Sequence, residues 1–211
     1  MPLPMVHLAV AREYAHDAPM LLECPEFYLG SIAPDAIHMR ENTGRMDKDI
    51  THLRRERDLW KANIITFLKQ HKGRPDYSFF LGYGIHSLTD MIWHETILKE
   101  FQAAYDKDPA PVQDKKWAYY NDTDKLDFEL YRTCEWRPKV WELLKKAKPC
   151  DVDGLLSADE IEAWKNRTLH WFDSGESQHK NPIRYISIED LFRFIHEAGV
   201  KIRSFLEAER I

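Results

Sequence analysis

His86, Asp90 and His94 recur at every fourth position of one apolar stretch, residues 77–98, YSFFLGYGIHSLTDMIWHETIL. Imidazole and carboxylate are the side chains that hold divalent metals or move protons near neutral pH. Four residues advance an α-helix by about 400°, so three such groups climb one face with only about 40° of drift per step. The other faces are apolar, from Phe79, Phe80, Leu81, Ile85, Leu88, Met91, Ile92, Trp93 and Ile97. The polar stripe is therefore expected to face protein or a cleft, where buried imidazole and carboxylate need partners. Gly82 lies one turn before His86. Helical side chains lean back over the preceding turn, so its missing side chain leaves room for the His86 ring. Gly82 and Gly84 each cost a helix roughly 1 kcal/mol relative to alanine. Either a closely packed helix or a metal with its ligands has to offset that. Close packing with satisfied core histidines is the plain alternative for this stretch taken alone.

Partners for the stripe must come from other elements. Residues 5–16 read as a short helix with His7 standing among Val6, Leu8, Ala9, Val10 and Ala11, hence inward. Residues 17–27, with Pro19 and Pro25, read as an irregular connection. Residues 28–38 form a second apolar segment carrying Asp35 and His38, and Pro34 suits a helix start or tight turn that aims the Asp35 carboxylate. Residues 39–50 are polar and expected to be an exposed loop. Thr51 suits the N-cap of a helix over 52–71 whose buried side is Leu53, Trp60, Ile64, Ile65, Phe67 and Leu68, placing His52 at the helix mouth. A break at Gly73-Arg74-Pro75 leads into the central helix, which continues to about Tyr105.

The second half reads as packing rather than reactive. Helices are expected over 115–134, over 137–146 with Pro138 in the first turn, from the capping box Ser157-Ala-Asp-Glu160 through 164–171, and over 186–211. Residues 151–160 resemble part of a calcium-binding loop. Aligning Gly154 and Glu160 with that loop's glycine and terminal glutamate puts Pro149 at its first acidic position, so a turn and a capped helix explain them better. No repeat, low-complexity tract or linker divides the chain.

At 211 residues the chain suits one domain with a substantial core, and 30 basic against 35 acidic residues, a net charge of −5, argue against nucleic-acid binding. The 8 glycines and few β-branched alternations favour helix. Three widely spaced cysteines, Cys24, Cys134 and Cys150, form no disulfide framework and point to a reducing compartment. No signal-peptide pattern or transmembrane segment is read. A cytoplasmic protein is expected.

Together, His7, Asp35, His52, His86 and Asp90 each open or interrupt an apolar segment, the way a helical bundle builds a metal site from inward groups on several helices. The segments PLPMVHLAVA, LGSIAPDAIH, DITHL and FFLGYGIHSLTDMIWH resemble, in order, successive motifs of the zinc-dependent phospholipase C family, the phospholipase C/D domain. The resemblance covers roughly residues 1–100 and is most specific in Gly30-Ser-Ile-Ala-Pro-Asp35 and Leu81-Gly-Tyr-Gly-Ile-His86-x-x-x-Asp90. It implies an all-α fold, one domain over 1–211, and metal ligation by His7, Asp35, His52, His86 and Asp90. His94 is expected to serve a second ion or to support the ligands from behind, with His38, Asp122 and Asp127 as weaker candidates. Secreted members add a free mature N-terminus and a later HxxxE pair. Here no HxxxE follows His94, so one or two ions are expected rather than three.

Three imidazoles and two carboxylates suit Zn²⁺ and tolerate Fe²⁺ or Mn²⁺. Asp90 has two oxygens and could bridge two ions about 3.5–4 Å apart, leaving a net positive centre for a phosphate and an activated water. Asp35 is the candidate to orient or deprotonate that water, which makes Asp35 and Asp90 the expected catalytic carboxylates. The implied activity is metal-dependent phosphoester hydrolysis, of phospholipase C type, on a small phosphoester or phospholipid headgroup. Two alternatives stand beside it. An HD-type phosphohydrolase is suggested by His16-Asp17, although the 9-residue step from His7 is short for separate helices. A metal-binding or structural interaction protein without turnover could use Trp117, Trp136, Trp141, Trp164 and Trp171, which at helical spacing are more commonly core residues.

Overall fold

The computed structural model describes residues 3–211; Met1 and Pro2, where the first motif begins, lie outside them. The fold is all-α: α1 (Pro4–Tyr14), α2 (Pro19–Leu22), α3 (Pro25–Gly30), α4 (Arg45–Thr51), α5 (Trp60–His71), α6 (Tyr77–Glu95), α7 (Ile97–Lys107), α8 (Lys115–Thr133), α9 (Arg137–Lys146), α10 (Ala158–His170) and α11 (Ile188–Ala208). Short 3₁₀ turns intervene, notably Ala33–Met39, and no strand occurs among the described residues. No helix among them is long and apolar enough to cross a membrane.

The central helix α6 is buried from Phe79 through Asp90 because its residues are apolar or small on nearly every side. Helix α3 crosses it backbone to backbone. A Cβ on Gly82 would overlap the Phe27 carbonyl oxygen and lie 2.9 Å from Ser31 N, while one on Gly30 would overlap the Phe79 carbonyl oxygen. Gly82 thus makes room for a helix rather than for the His86 ring. Gly84 accommodates the Leu68 side chain of α5, 2.6 Å from where its Cβ would be. Helix α1 lies between α6, α8 and α11, and α10 packs on the Ala33–Met39 turn.

Two buried aspartates of α8 brace this arrangement. Asp127 accepts the Met5 and Val6 backbone N–H groups at 3.3 Å each, capping α1, whose own N-cap Leu3 has no side-chain acceptor. Asp122 accepts the N–H groups of Arg184, Tyr185 and Ile186 at 2.7–3.2 Å, tying down the entry to α11. Both side chains serve backbone donors.

Several boundaries differ from the sequence expectation. The connection 17–27 contains α2 and the start of α3, each entered by a proline in the first turn, where its missing N–H is no loss. The expected loop 39–50 contains most of α4, started by Asp47 accepting the Gly44 N–H at 2.8 Å. Thr51 ends α4 instead of capping the next helix, which begins only at Trp60. The expected continuous helix to Tyr105 is interrupted at Thr96. Residues 151–160 close on themselves through a Val152–Leu156 bridge, and Glu160 returns to the Ser157 N–H in a capping box, as a turn and capped helix should.

Candidate metal centre

Five side chains meet beneath the crossing of α6 with the Ala33–Met39 turn. His7 comes from α1, Asp35 from the turn, His52 from the end of α4, and His86 and Asp90 from α6. Their exposures are 1%, 6%, 0%, 1% and 2%, so a polar atom left without a protein partner here has no bulk water to turn to.

Local structure fixes the His86 and His52 rings. His86 Nδ1 lies 2.9 Å from the Ser31 carbonyl oxygen, which can only accept, so Nδ1 carries the proton and Nε2 keeps its lone pair. His52 Nδ1 likewise donates to the Lys48 carbonyl at 2.8 Å, leaving Nε2 free. The placement of His52 follows from how α4 stops. Leu53 adopts φ 59°, its N–H bonds Ile50 O at 3.0 Å, and Arg54 N–H bonds Asp49 O at 2.8 Å, the paired bonds of a Schellman ending. A left-handed leucine costs roughly 1–2 kcal/mol. The Tyr83 hydroxyl donates to Thr51 O at 2.5 Å and the Trp60 indole to His52 O at 2.9 Å, holding that ending in place. His52 is therefore fully buried, not at a helix mouth.

The free atoms converge. His52 Nε2 stands 3.3 Å from Asp35 Oδ1 and 3.7 Å from Asp90 Oδ2. His7 Nε2 is 3.7 Å from Asp90 Oδ1, and His86 Nε2 is 4.0 Å from Asp35 Oδ2. The His7 and His86 rings stack at 3.7 Å. His7 Nδ1 and Nε2, His52 Nε2, His86 Nε2 and both Asp90 oxygens have no hydrogen-bond partner among the described residues. The His52 and His86 Nε2 lone pairs facing carboxylate oxygens at these distances repel them, and a cation between the groups removes that repulsion. Two ligand groups emerge, His7 with His86 and Asp90, and Asp35 with His52 and His86, each with ligand atoms within 4.8 Å of one another. His86 has only Nε2 to give, so it serves one ion, and a second would have to be reached through Asp90 or Asp35. The mixed nitrogen and oxygen donor set fits Zn²⁺.

The electrostatics agree with ligand roles. Burial, then the neighbouring His86, holds His7 well below the usual histidine range, and burial pulls His86 down to about 4, so both rings are neutral at pH 7. Burial pushes the Asp35 carboxyl up, but the Lys48 ammonium at 3.1 Å and the His52 and His86 rings outweigh it and hold Asp35 well below the usual carboxylate range.

The remaining candidates lie elsewhere. His94 is exposed and belongs to neither ligand group; it borders a separate pocket with Arg57, Met91 and Phe205. The 40° drift per step explains this, since two steps from His86 rotate a side chain about 80° away. His38 sits at the rim, 3.6 Å from Asp35 Oδ1 and 2.8 Å from Lys48 Nζ. His16 and Asp17 pair with each other at 2.8 Å on the surface, outside the cluster, so the HD-type geometry is not present there. Sequence reasoning missed Lys48, whose carbonyl orients His52 and whose ammonium pairs with Asp35, because it sits in a polar stretch without pattern. It also missed Arg54, 3.9 Å from Asp90 Oδ2. Ser31 and Tyr83 fall inside the quoted motifs, and that was their only signal.

A cavity of about 450 Å³ borders the centre at Asp35 and is lined by His38, Lys48 and Arg54 together with Trp164, Arg167 and Trp171. The family model described as zinc dependent phospholipase C matches residues 6–141. The chain belongs to that family. The match carries all five clustered residues and runs past the first hundred residues into α9, further than the motifs alone indicated. No curated protein matches, and no solved structure matches.

Proposed function

We propose that this member of the zinc-dependent phospholipase C family hydrolyses phosphoesters at the five-residue centre, with His7, Asp35, His52, His86 and Asp90 holding one or two Zn²⁺ ions. The six unpartnered buried atoms on His7, His52, His86 and Asp90 carry this reading, because a fold with no cation to bind gains nothing from them. Bound zinc supplies Lewis acidity towards a phosphoryl oxygen and lowers the pKa of water. Asp35, kept ionised by Lys48, orients the attacking water and accepts its proton. Asp90 turns one oxygen towards His7 and the other towards His52, so it would help hold zinc beside either histidine. Lys48 and Arg54 stand at the cavity floor to hold the phosphate oxygens as charge builds on them. The substrate enters through the cavity as a small phosphoester or a phospholipid headgroup.

The test is metal content together with turnover. Purified protein should carry zinc by elemental analysis and hydrolyse bis(p-nitrophenyl) phosphate. His86→Ala and Asp90→Ala should lose both while retaining the helical circular dichroism spectrum. Zinc without turnover would make this a metal-binding protein, and neither would overturn the reading altogether.

A further inference from the structure

One wall of the cavity comes from α10, beyond the segment that matches the family. Glu160, Trp164, Arg167 and Trp171 follow at steps of four, three and four and so share one face of that helix. The face is firmly seated: Arg40 donates from Nε and Nη2 to the two Glu160 oxygens at 2.6 and 3.0 Å, and from Nη2 to Leu155 O at 2.9 Å. Arg40 directly follows the Ala33–Met39 turn that carries Asp35, so the position of α10 is coupled to that of a ligand. His38 touches the Trp164 ring at 5.8 Å between centroids, completing the contact.

Trp164 and Arg167 are the N–H donors of this wall, the first buried and the second exposed. The Trp164 side chain is 5% exposed and its indole N–H is buried without an acceptor. Arg167 lies over Trp164 at 5.5 Å and over Trp171 at 5.2 Å, with no carboxylate in ion-pair range among the described residues. An arginine held on aromatic surfaces presents its remaining N–H groups in a fixed plane, suited to a carboxylate or phosphate. Its position also decides what the aromatic rings can do. One face of each tryptophan ring that could cradle a quaternary ammonium is taken by the guanidinium, and Lys48 and Arg54, which line the same cavity, would repel such a cation.

We infer that the α10 wall is a subsite for a second anionic group, so the substrate carries a phosphate or carboxylate in addition to the scissile phosphoester, bound by Arg167 and the Trp164 N–H. The inference rests on the hydrolase reading for the chemistry of the first phosphate. Such a substrate could be an anionic lipid headgroup or a soluble diester with the same head, and the experiment separates the two.

Binding to the zinc-loaded protein is measured by titration calorimetry with two phosphorylated heads, inositol 1,4-bisphosphate and phosphocholine. The bisphosphate should bind at least about tenfold more tightly, the scale of one charge-assisted hydrogen-bond pair. Arg167→Gln should remove about tenfold of that preference, Arg167→Lys should restore part of it, and Trp164→Phe, which keeps a ring but loses the N–H, should also lower it. Kinetics then compare dihexanoyl phosphatidylinositol 4-phosphate with dihexanoyl phosphatidylcholine, and glycerophosphoinositol 4-phosphate with glycerophosphocholine. A preference in the first pair alone makes the source a lipid; a preference in the second makes it a soluble ester. Equal binding of the two heads, or a preference unchanged in Arg167→Gln, overturns the inference. Anion preference without hydrolysis of any ester would keep the subsite and refute the hydrolase, whereas hydrolysis without preference would do the reverse.

Discussion

Replacing Gly82 by alanine should destabilise the protein and loosen the centre in one step. The added Cβ would lie 2.9 Å from Ser31 N and 3.2 Å from the Gly30 carbonyl carbon, and would overlap the Phe27 carbonyl oxygen. All three are backbone atoms, so no rotamer change relieves the clash. Since heavy-atom contacts become favourable near ~3.5–4 Å, α3 has to withdraw by on the order of 1 Å. Overpacking of this kind costs about 1–3 kcal/mol, and the backbone overlap argues for the upper end. Alanine returns roughly 1 kcal/mol of helix propensity, leaving a net loss of about 2 kcal/mol. Gly84→Ala is the matched control. Its three nearest neighbours are all atoms of the Leu68 side chain and none is backbone, so the same propensity gain should leave a net loss at least about 1 kcal/mol smaller than that of Gly82→Ala. The second consequence runs through Ser31, whose carbonyl accepts the His86 Nδ1 proton at 2.9 Å. Losing the partner that orients a ligand costs about 10–100-fold in metal affinity. Urea unfolding gives the stability term, and zinc competition against a chromophoric chelator gives the affinity. If Gly82→Ala unfolds at the same urea concentration as Gly84→Ala and binds zinc within twofold of wild type, the helix crossing does not set the geometry of the centre.

Other outcomes follow from the same structure. Zinc at about one hundred times its dissociation constant should add about 2.7 kcal/mol and raise the melting temperature by roughly 5–10 °C over chelator-treated protein, with no rise in His86→Ala by scanning calorimetry. Burial pushes the Asp127 carboxyl well above its usual value, with the Met5 and Val6 N–H groups only partly opposing it. The folded state then holds a proton that the unfolded state has released from about pH 4 up to the raised value, so this group makes stability fall as pH rises through that window. Asp127→Asn keeps an acceptor and cannot ionise; the gap between its urea midpoint and that of wild type should move in favour of the variant between pH 4 and pH 8. Asp122→Ala strands the N–H groups of Arg184, Tyr185 and Ile186 and should cost about 2–4 kcal/mol in urea unfolding.

The amino-acid order determined the helical class, because apolar spacing and caps such as Ser157 with Glu160 are local properties. It also singled out His86 and Asp90, since a four-residue step on an apolar helix is itself a geometric statement. The place of His52 was not legible. It depends on α4 stopping with a left-handed leucine, where sequence gives no glycine to announce the turn. The role of Gly82 was open between ligand room and helix contact, and only the approach of Phe27 and Ser31, more than fifty positions away, settled it as contact. His94 shared the stripe on paper and left it in space because rotation accumulates along a helix. Lys48 carries no periodic signal, and the helical spacing of Trp164, Arg167 and Trp171 reads as a packed face and says nothing of the cavity it borders. The α10 residues are tied to the Asp35 turn by the Arg40–Glu160 pair, residues 120 positions apart, and long-range pairing of that kind exists only once the chain has folded.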